Sequence, residues 1–218
     1  MSIHEFGAYP VLLGYSLLAA AGSGPRRPCA TDSRPAEGGM ARNVEIKAAV
    51  KDFAGITAAL AALSPAAPTR LVQEDTFFRS PRGRLKLRKL TATSGELIYY
   101  ERPDGTAPRE SNYVLVPTAE PDRLRDMLAA AYGIIGVVRK RRTVRMVDRT
   151  RVHLDDVEGL GTFVELEVVL GDGEPAESGV VEARRLMAAL GIQEDQLVSR
   201  AYIDLLQSRD VLGTTSSG

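Results

Sequence analysis

The chain has one cysteine, Cys29, and two histidines, His4 and His153, among its 218 residues. A single cysteine excludes an internal disulfide and any cysteine-rich metal site. It also suits a reducing compartment, so a cytoplasmic location is expected. Two histidines leave a histidine-based zinc site short of ligands. Net charge is missing too, with 28 Lys+Arg against 28 Asp+Glu. No electrostatic case for a nucleic-acid polymer or a membrane surface follows. The apolar run at residues 11–22 is too short to span a bilayer. Only His4 and Glu5 precede it, so it lacks the positive stretch of a signal peptide. Residues 23–39 are rich in Gly, Pro, Arg and Ser. Two readings of residues 1–39 stay open, a weak export signal and a disordered extension. Under the second, Met40 is the true start.

What is present is a chain that is 44% hydrophobic, enough for one substantial core. Period-two alternation marks strands, because successive side chains on a strand face opposite sides. It predicts strands over residues 43–49, 71–79, 84–90, 96–102, 110–116 and 137–147. Residues 152–169 add two more, joined by the Glu158-Gly159-Leu160-Gly161 turn. Helical spacing predicts helices over 53–63, 120–132, 177–190 and 195–207. Short turns imply antiparallel neighbours, and eight such strands commonly close into a barrel. The expected fold class is α+β: a closed eight-stranded antiparallel β-barrel with helices outside. The expected domain runs over 40–207, with 208–218 as a flexible tail.

The strand faces are unusual. Asn43, Glu45 and Lys47 share one face, and Val44, Ile46 and Ala48 the other. Arg84, Lys86 and Arg88 oppose Leu85 and Leu87. In the late hairpin Arg151, His153 and Asp155 share a face, as do Glu165 and Glu167, while Asp156 points away. Two arrangements compete. In an ordinary sheet the charged face meets water. In an inverted one, charge lines a lumen and the apolar faces sit beneath helices. Segregation of sign favours inversion: residues 84–90 and 137–147 are basic and residues 155–167 acidic. A lumen of Lys/Arg with a few carboxylates suits a polyanion chelated to Mg²⁺ or Mn²⁺.

The residues HLDDVEGLGTFVELEVV, NVEIK, RLKLRK and VVRKRR together resemble the CYTH domain family, the triphosphate tunnel metalloenzymes. That family includes class IV adenylate cyclases, thiamine triphosphatases and inorganic triphosphatases. The likeness spans residues 40–207. It implies a tunnel in which basic side chains bind a triphosphate and acids hold a metal. Carried over, it implies Glu45, Asp155, Glu165 and Glu167 on the metal side. Lys47, Lys86, Arg88, Lys140 and Arg142 would cradle phosphates, with Arg102 a weaker candidate. Lys47 and Glu165 are the candidate catalytic residues. Asn43 stands where the family pattern has its first glutamate. Arg139, Arg141 and Arg145 fall on the opposite face and are expected to reach solvent or helices.

The resemblance thus implies a metal-dependent enzyme that hydrolyses an organic or inorganic triphosphate or cyclises ATP to cAMP. ATP, thiamine triphosphate and tripolyphosphate are the candidate ligands, and a homodimer is allowed for. The alternative, motivated by Asn43, is a non-catalytic module that binds nucleotides or polyphosphate. For single residues the plainer roles are expected: a static contact for His153, packing for Tyr99, Tyr100 and Tyr202.

Overall fold

A computed structural model describes residues 41–101 and 107–214. The strands are β1 (Ala41–Ala49), β2 (Thr69–Phe78), β3 (Arg84–Thr91), β4 (Ser94–Glu101), β5 (Arg109–Thr118), β6 (Ile134–Val147), β7 (Thr150–Val157) and β8 (Gly161–Val169). The helices are α1 (Phe53–Leu63), α2 (Pro121–Tyr132), α3 (Ala176–Ala189) and α4 (Tyr202–Thr214). The strands form one closed barrel in the order β1-β5-β4-β3-β2-β6-β7-β8. Every neighbouring pair is antiparallel. The expected architecture is therefore the observed one. No helix among the described residues is long and apolar enough to cross a membrane.

The arrangement is the inverted one. On β1 the outward residues Val44, Ile46 and Ala48 are buried. They are buried because helices cover them. Ile46 and Ala48 join Val152, Leu154, Val164 and Leu166 in a core with Ile56 and Leu60 of α1 and Leu186 and Met187 of α3. A side chain such as Leu166 contributes about 1.5–3 kcal/mol when fully buried. A separate cluster seats Leu128 of α2 on Phe78 and Leu87. α3 approaches closely because residue 179 is glycine, where a Cβ would come within 2.8 Å of Val44 Cγ2.

Local chemistry sets the ends of these elements. Asp52 caps α1 by accepting a hydrogen bond from the Gly55 N–H at 2.8 Å. Pro121 occupies the first turn of α2, where a missing N–H costs nothing. The β7–β8 turn needs Gly159, whose φ is +76°.

One element differs from expectation. Helical spacing suggested a helix over 195–207, but a short 3₁₀ turn at Glu194–Gln196 is followed by extended chain. Leu197 bridges to Ala48, and the Val198 N–H donates to the Lys47 carbonyl at 2.8 Å. Pairing with β1 overrides the local propensity there. The helix starts only at Tyr202 and runs to Thr214, into the stretch expected to be a tail. Its first turn packs on the lumen side of the barrel, with Tyr202 and Ile203 against Phe77, Val138, Val157 and Phe163.

Candidate active site

Strand register brings the charged faces together inside the barrel. β1 lies beside β8 with Lys47 opposite Glu165 and Glu45 opposite Glu167. β7 sets His153 opposite Glu165 and Arg151 opposite Glu167. β6 sets Arg142 opposite Asp155. On the far wall, β2 and β3 place Asp75 opposite Arg88. Lys47, Asp75, Lys140, Arg142, His153 and Asp155 are all buried, and Asp155 has no exposed surface. Buried ions survive only when paired and hydrogen-bonded, and here each anion is met by cations.

Asp155 is the first anchor. It accepts from Arg142 Nε at 2.7 Å, Arg142 Nη2 at 2.6 Å, Lys140 Nζ at 3.3 Å and the Tyr202 hydroxyl at 3.0 Å. Burial pushes its carboxyl upward, but Arg142 and then Lys140 outweigh that and hold it down at about 2. Three of these contacts fall on Oδ2 and one on Oδ1. Asp155, expected on the metal side, here orients Arg142, Lys140 and Tyr202. Glu165 accepts from Arg142 Nη2 and lies 3.3 Å from Lys47 Nζ.

Asp75 is the second anchor, on the opposite wall. Lys86 Nζ donates to it at 2.9 Å, Arg88 Nε at 2.9 Å and Arg88 Nη2 at 3.2 Å. Arg88 also stands 3.7 Å from Glu96. Burial is the main force on the Lys86 ammonium and lowers it to about 8, with Arg88 and Lys140 acting in the same direction against Asp75. Lys140 is likewise lowered, by burial first and by Arg142 second. For both ammonium groups burial is thus the main cost, with neighbouring cations adding to it, and an anion placed between the walls offsets that cost. Donors remain for it: Lys86 has three N–H groups, and Arg142 spends only its Nε and Nη2 hydrogens.

A third group could hold a cation. Ligand atoms of His153, Glu165 and Glu167 lie within 4.8 Å of one another. His153 Nδ1 is buried and has no hydrogen-bond partner among the described residues. It stands 3.5 Å from Glu167 Oε1 and 3.8 Å from Glu165 Oε2. Burial, and then Arg142, push the imidazole pKa down, so it is neutral and able to donate a lone pair. Arg151 holds the other oxygen of Glu167 at 2.9 Å, as an outer partner orients a ligating carboxylate. An orphaned imidazole nitrogen facing two carboxylate oxygens fits a divalent ion, and the oxygen donors suit Mg²⁺ or Mn²⁺. Glu45 faces the same corner across the strand pair, half-buried. Asn43 is buried close by on β1, and its Oδ1 has no partner among the described residues.

The structure thus gathers Glu45, Lys47, Lys86, Arg88, Lys140, Arg142, Asp155, Glu165 and Glu167 in one lumen. Arg102 lies outside the described residues. Arg139 and Arg141 do point outward, to Glu74 at 2.9 Å and Asp156 at 3.6 Å. Arg145 donates to the Ser64 and Ala66 carbonyls at the end of α1. Two residues were not singled out from sequence. Asp75 and Glu96 face the lumen as the partners of Arg88 on either side of β3, and only that pairing gives them a role. Tyr202 was expected to pack, and it does, yet its ring also lies 3.9 Å from Lys47 Nζ and 5.2 Å from Lys140 Nζ. That makes it part of the site.

Comparison with known proteins agrees with this geometry. The CYTH domain model matches residues 41–202. Adenylate cyclase CyaB of Aeromonas hydrophila is 28% identical over 173 residues, covering 75% of this chain and 88% of that protein. Among solved structures, the PH1012 protein of Pyrococcus horikoshii superposes with a TM-score of 0.67 at 24% identity, covering 75% of this chain and 98% of that one. HpAC1 of Hippeastrum, an adenylyl cyclase candidate described as having a dominant triphosphatase activity, gives 0.53 at 16% identity, over 78% and 96%. At such identities these two likenesses concern the fold alone.

Proposed function

The chain belongs to the CYTH domain family, and from that premise we propose that it is a metal-dependent enzyme that transfers or releases phosphoryl groups of a triphosphate held in the barrel. One observation carries the reading: two cation nests, each built on a buried carboxylate, face one lumen beside an acidic corner with an unpartnered imidazole nitrogen. A solvated sheet has no reason to bury Lys47, Lys140, Arg142, Asp75 and Asp155.

The chemistry is positioning and electrostatics. Lys86 and Arg88 on one wall, and Lys47, Lys140 and Arg142 on the other, bind the phosphate oxygens. They neutralise the charge that spreads over them in the transition state. Asp75 and Asp155 hold those cations in place beforehand, so little reorganisation is needed at reaction. His153, Glu165 and Glu167, with Glu45 beside them, would hold Mg²⁺ or Mn²⁺. That ion would supply charge neutralisation and Lewis acidity at the phosphate oxygens. Glu165 and Lys47, 3.3 Å apart, form the pair through which a proton can be passed at the phosphate. Hydrolysis and cyclisation would use the same cradle.

The test is phosphate and pyrophosphate release from ATP, thiamine triphosphate and tripolyphosphate with Mg²⁺ or Mn²⁺. Turnover of at least one substrate is expected, and its loss in Glu167→Ala and in Lys140→Ala with the fold retained. From ATP, orthophosphate with ADP marks a hydrolase, and pyrophosphate with cAMP marks a cyclase. If every triphosphate raises the melting temperature and none turns over, the protein is a binding module.

A further inference from the structure

We propose that His153 supplies a nitrogen ligand to the metal of the acidic corner, and so makes that corner prefer Mn²⁺ and Co²⁺ to Mg²⁺. The inference rests on the reading of the corner as a metal centre and adds the class of ion it selects.

β7 places His153 between Glu165 of β8 and Val144 of β6. Both His153 and Val144 are buried, so an apolar side chain flanks the imidazole on one side and carboxylates on the other. The atoms that face Nδ1 are acceptors, Glu167 Oε1 at 3.5 Å and Glu165 Oε2 at 3.8 Å. The lumen residues before and after it on β7 are already engaged, Arg151 with Glu167 and Asp155 with Arg142. Nδ1 is also closed to solvent, so lumen water does not stand in for a donor. A lone pair and two carboxylate oxygens share a buried corner stably when a cation stands between them. The spacing suits one. Ligands about 2.1 Å from an octahedral ion lie about 3.0 Å apart when adjacent and about 4.2 Å when opposite. The two nitrogen–oxygen distances fall inside that span.

The donor set decides which ion. Mg²⁺ takes oxygen ligands and gives up its water reluctantly, so beside an imidazole it keeps a water instead. First-row divalent ions accept imidazole nitrogen and carboxylate oxygen together, with affinity rising from Mn²⁺ to Co²⁺. Asn43 tilts the balance the same way. It is the next lumen side chain along β1 from Glu45, it is buried, and its Oδ1 has no partner among the described residues. An amide oxygen is a neutral donor and adds none of the charge on which an all-oxygen Mg²⁺ site depends. The corner thus offers carboxylates, an imidazole and an amide, a mixed set that a hard cation uses only in part.

The experiment measures equilibrium binding of Mg²⁺, Mn²⁺ and Co²⁺, each alone, to the full chain and to His153→Ala, His153→Gln and Glu167→Gln. Melting temperatures establish that each variant is folded. Mn²⁺ is expected to bind the parent about a hundredfold tighter than Mg²⁺, the scale on which single groups around a metal change affinity, and Co²⁺ tighter still. Both His153 variants are expected to bring Mn²⁺ down to the Mg²⁺ level and to leave Mg²⁺ within about threefold, since a water already takes that position on Mg²⁺. Glu167→Gln is expected to weaken all three ions. Electron spin-echo spectra of bound Mn²⁺ read the ligand itself, because a directly bonded nitrogen nucleus modulates the echo. The modulation is expected in the parent and absent from both His153 variants. Bound Mn²⁺ without a nitrogen signal, or equal affinities of the parent for Mn²⁺ and Mg²⁺, overturns the nitrogen ligand and leaves the metal corner standing. A parent protein that binds none of the three ions overturns the corner and the ligand together. Both parent measurements decide the question even where a variant does not fold.

Discussion

Arg142 clasps Asp155 with two hydrogen bonds, Nε to Oδ1 at 2.7 Å and Nη2 to Oδ2 at 2.6 Å, at a carboxylate with no exposed surface. Removing one partner of such a pair leaves the other charge buried and uncompensated. Asp155→Ala is therefore expected to lose about 3–5 kcal/mol, which in a domain of this size lowers the melting temperature by roughly 10 °C. Asp156→Ala is the control, because that side chain is 52% exposed and 3.6 Å from Arg141. Its expected change is within about 0.5 kcal/mol. The pH dependence follows the direction of the shift. The Asp155 carboxyl is held at about 2, below its unfolded value. The stability it contributes is present above about pH 4 and is lost as the pH falls towards 2. Thermal melts of parent and variant at descending pH are expected to converge.

Lys86 makes a pH prediction for binding. Its ammonium is lowered to about 8 with Asp75, Arg88 and Lys140 around it. A bound polyphosphate favours the protonated form, so complex formation takes up a proton above that pH. Affinity for tripolyphosphate is expected to decline as pH rises from about 8 towards 10. Lys86→Arg keeps its charge across that range and is expected to remove this part of the decline. Comparing the two proteins at each pH cancels the ligand's own ionisation. Parallel curves for both would exclude Lys86 as the titrating group.

The acidic corner makes a metal prediction with a readout other than turnover. Mn²⁺ is expected to raise the melting temperature of the parent protein and EDTA to reverse it. At a concentration a hundredfold above the dissociation constant the gain is about 2.7 kcal/mol. His153→Ala and Glu167→Gln are each expected to abolish most of that gain, because the first removes a facing donor atom and the second the charge of another. A Mn²⁺-induced shift that survives in both variants would place the ion elsewhere.

Alternation in the sequence already places most of the lumen-facing charges on one side of their strands. Once Lys86/Arg88, Lys140/Arg142 and Glu165/Glu167 are placed two apart on strands, closure of the barrel forces them to face one another. The inverted packing was readable for the same reason: the apolar stripe Val44-Ile46-Ala48 and the charged stripe on its other side are both too regular for a solvated edge. What could not be read was pairing at a distance. Asp75 matters because β3 sets Arg88 beside it, and no local pattern announces that. His153 belongs to the acidic corner through its register with Glu165, not through any histidine motif. Helical spacing extends back to residue 195, but residues 197–201 are extended, with Leu197 and Val198 paired to β1, and the helix begins at Tyr202.

Tyr202 offers the sharpest separation of a hydroxyl from a ring. Its hydroxyl donates to Asp155 at 3.0 Å, and its ring lies 3.9 Å from Lys47 Nζ and 5.2 Å from Lys140 Nζ. The segment leading into it is tied down as well, since Lys47 Nζ donates to the Arg200 carbonyl at 3.2 Å. Tyr202→Phe removes one buried hydrogen bond, worth about 1 kcal/mol, and keeps the ring beneath both lysines. Asp155 retains Arg142 and Lys140, so the phosphate cradle is expected to stay formed, with KM raised no more than about threefold. Tyr202→Leu removes the ring too. Lys47 then loses a cation–π contact worth about 2 kcal/mol when desolvated, and its ammonium is less tightly positioned beside Glu165 and the Arg200 carbonyl. Stability is expected to fall by less than the roughly 3–5 kcal/mol of an aromatic cut to alanine in a core, because Leu refills part of the space. For Tyr202→Leu, kcat is expected to fall more than KM rises, because a misplaced Lys47 affects charge that develops only in the transition state. If Tyr202→Leu is merely less stable, with kcat unchanged below its melting temperature, Tyr202 is a packing residue and no more.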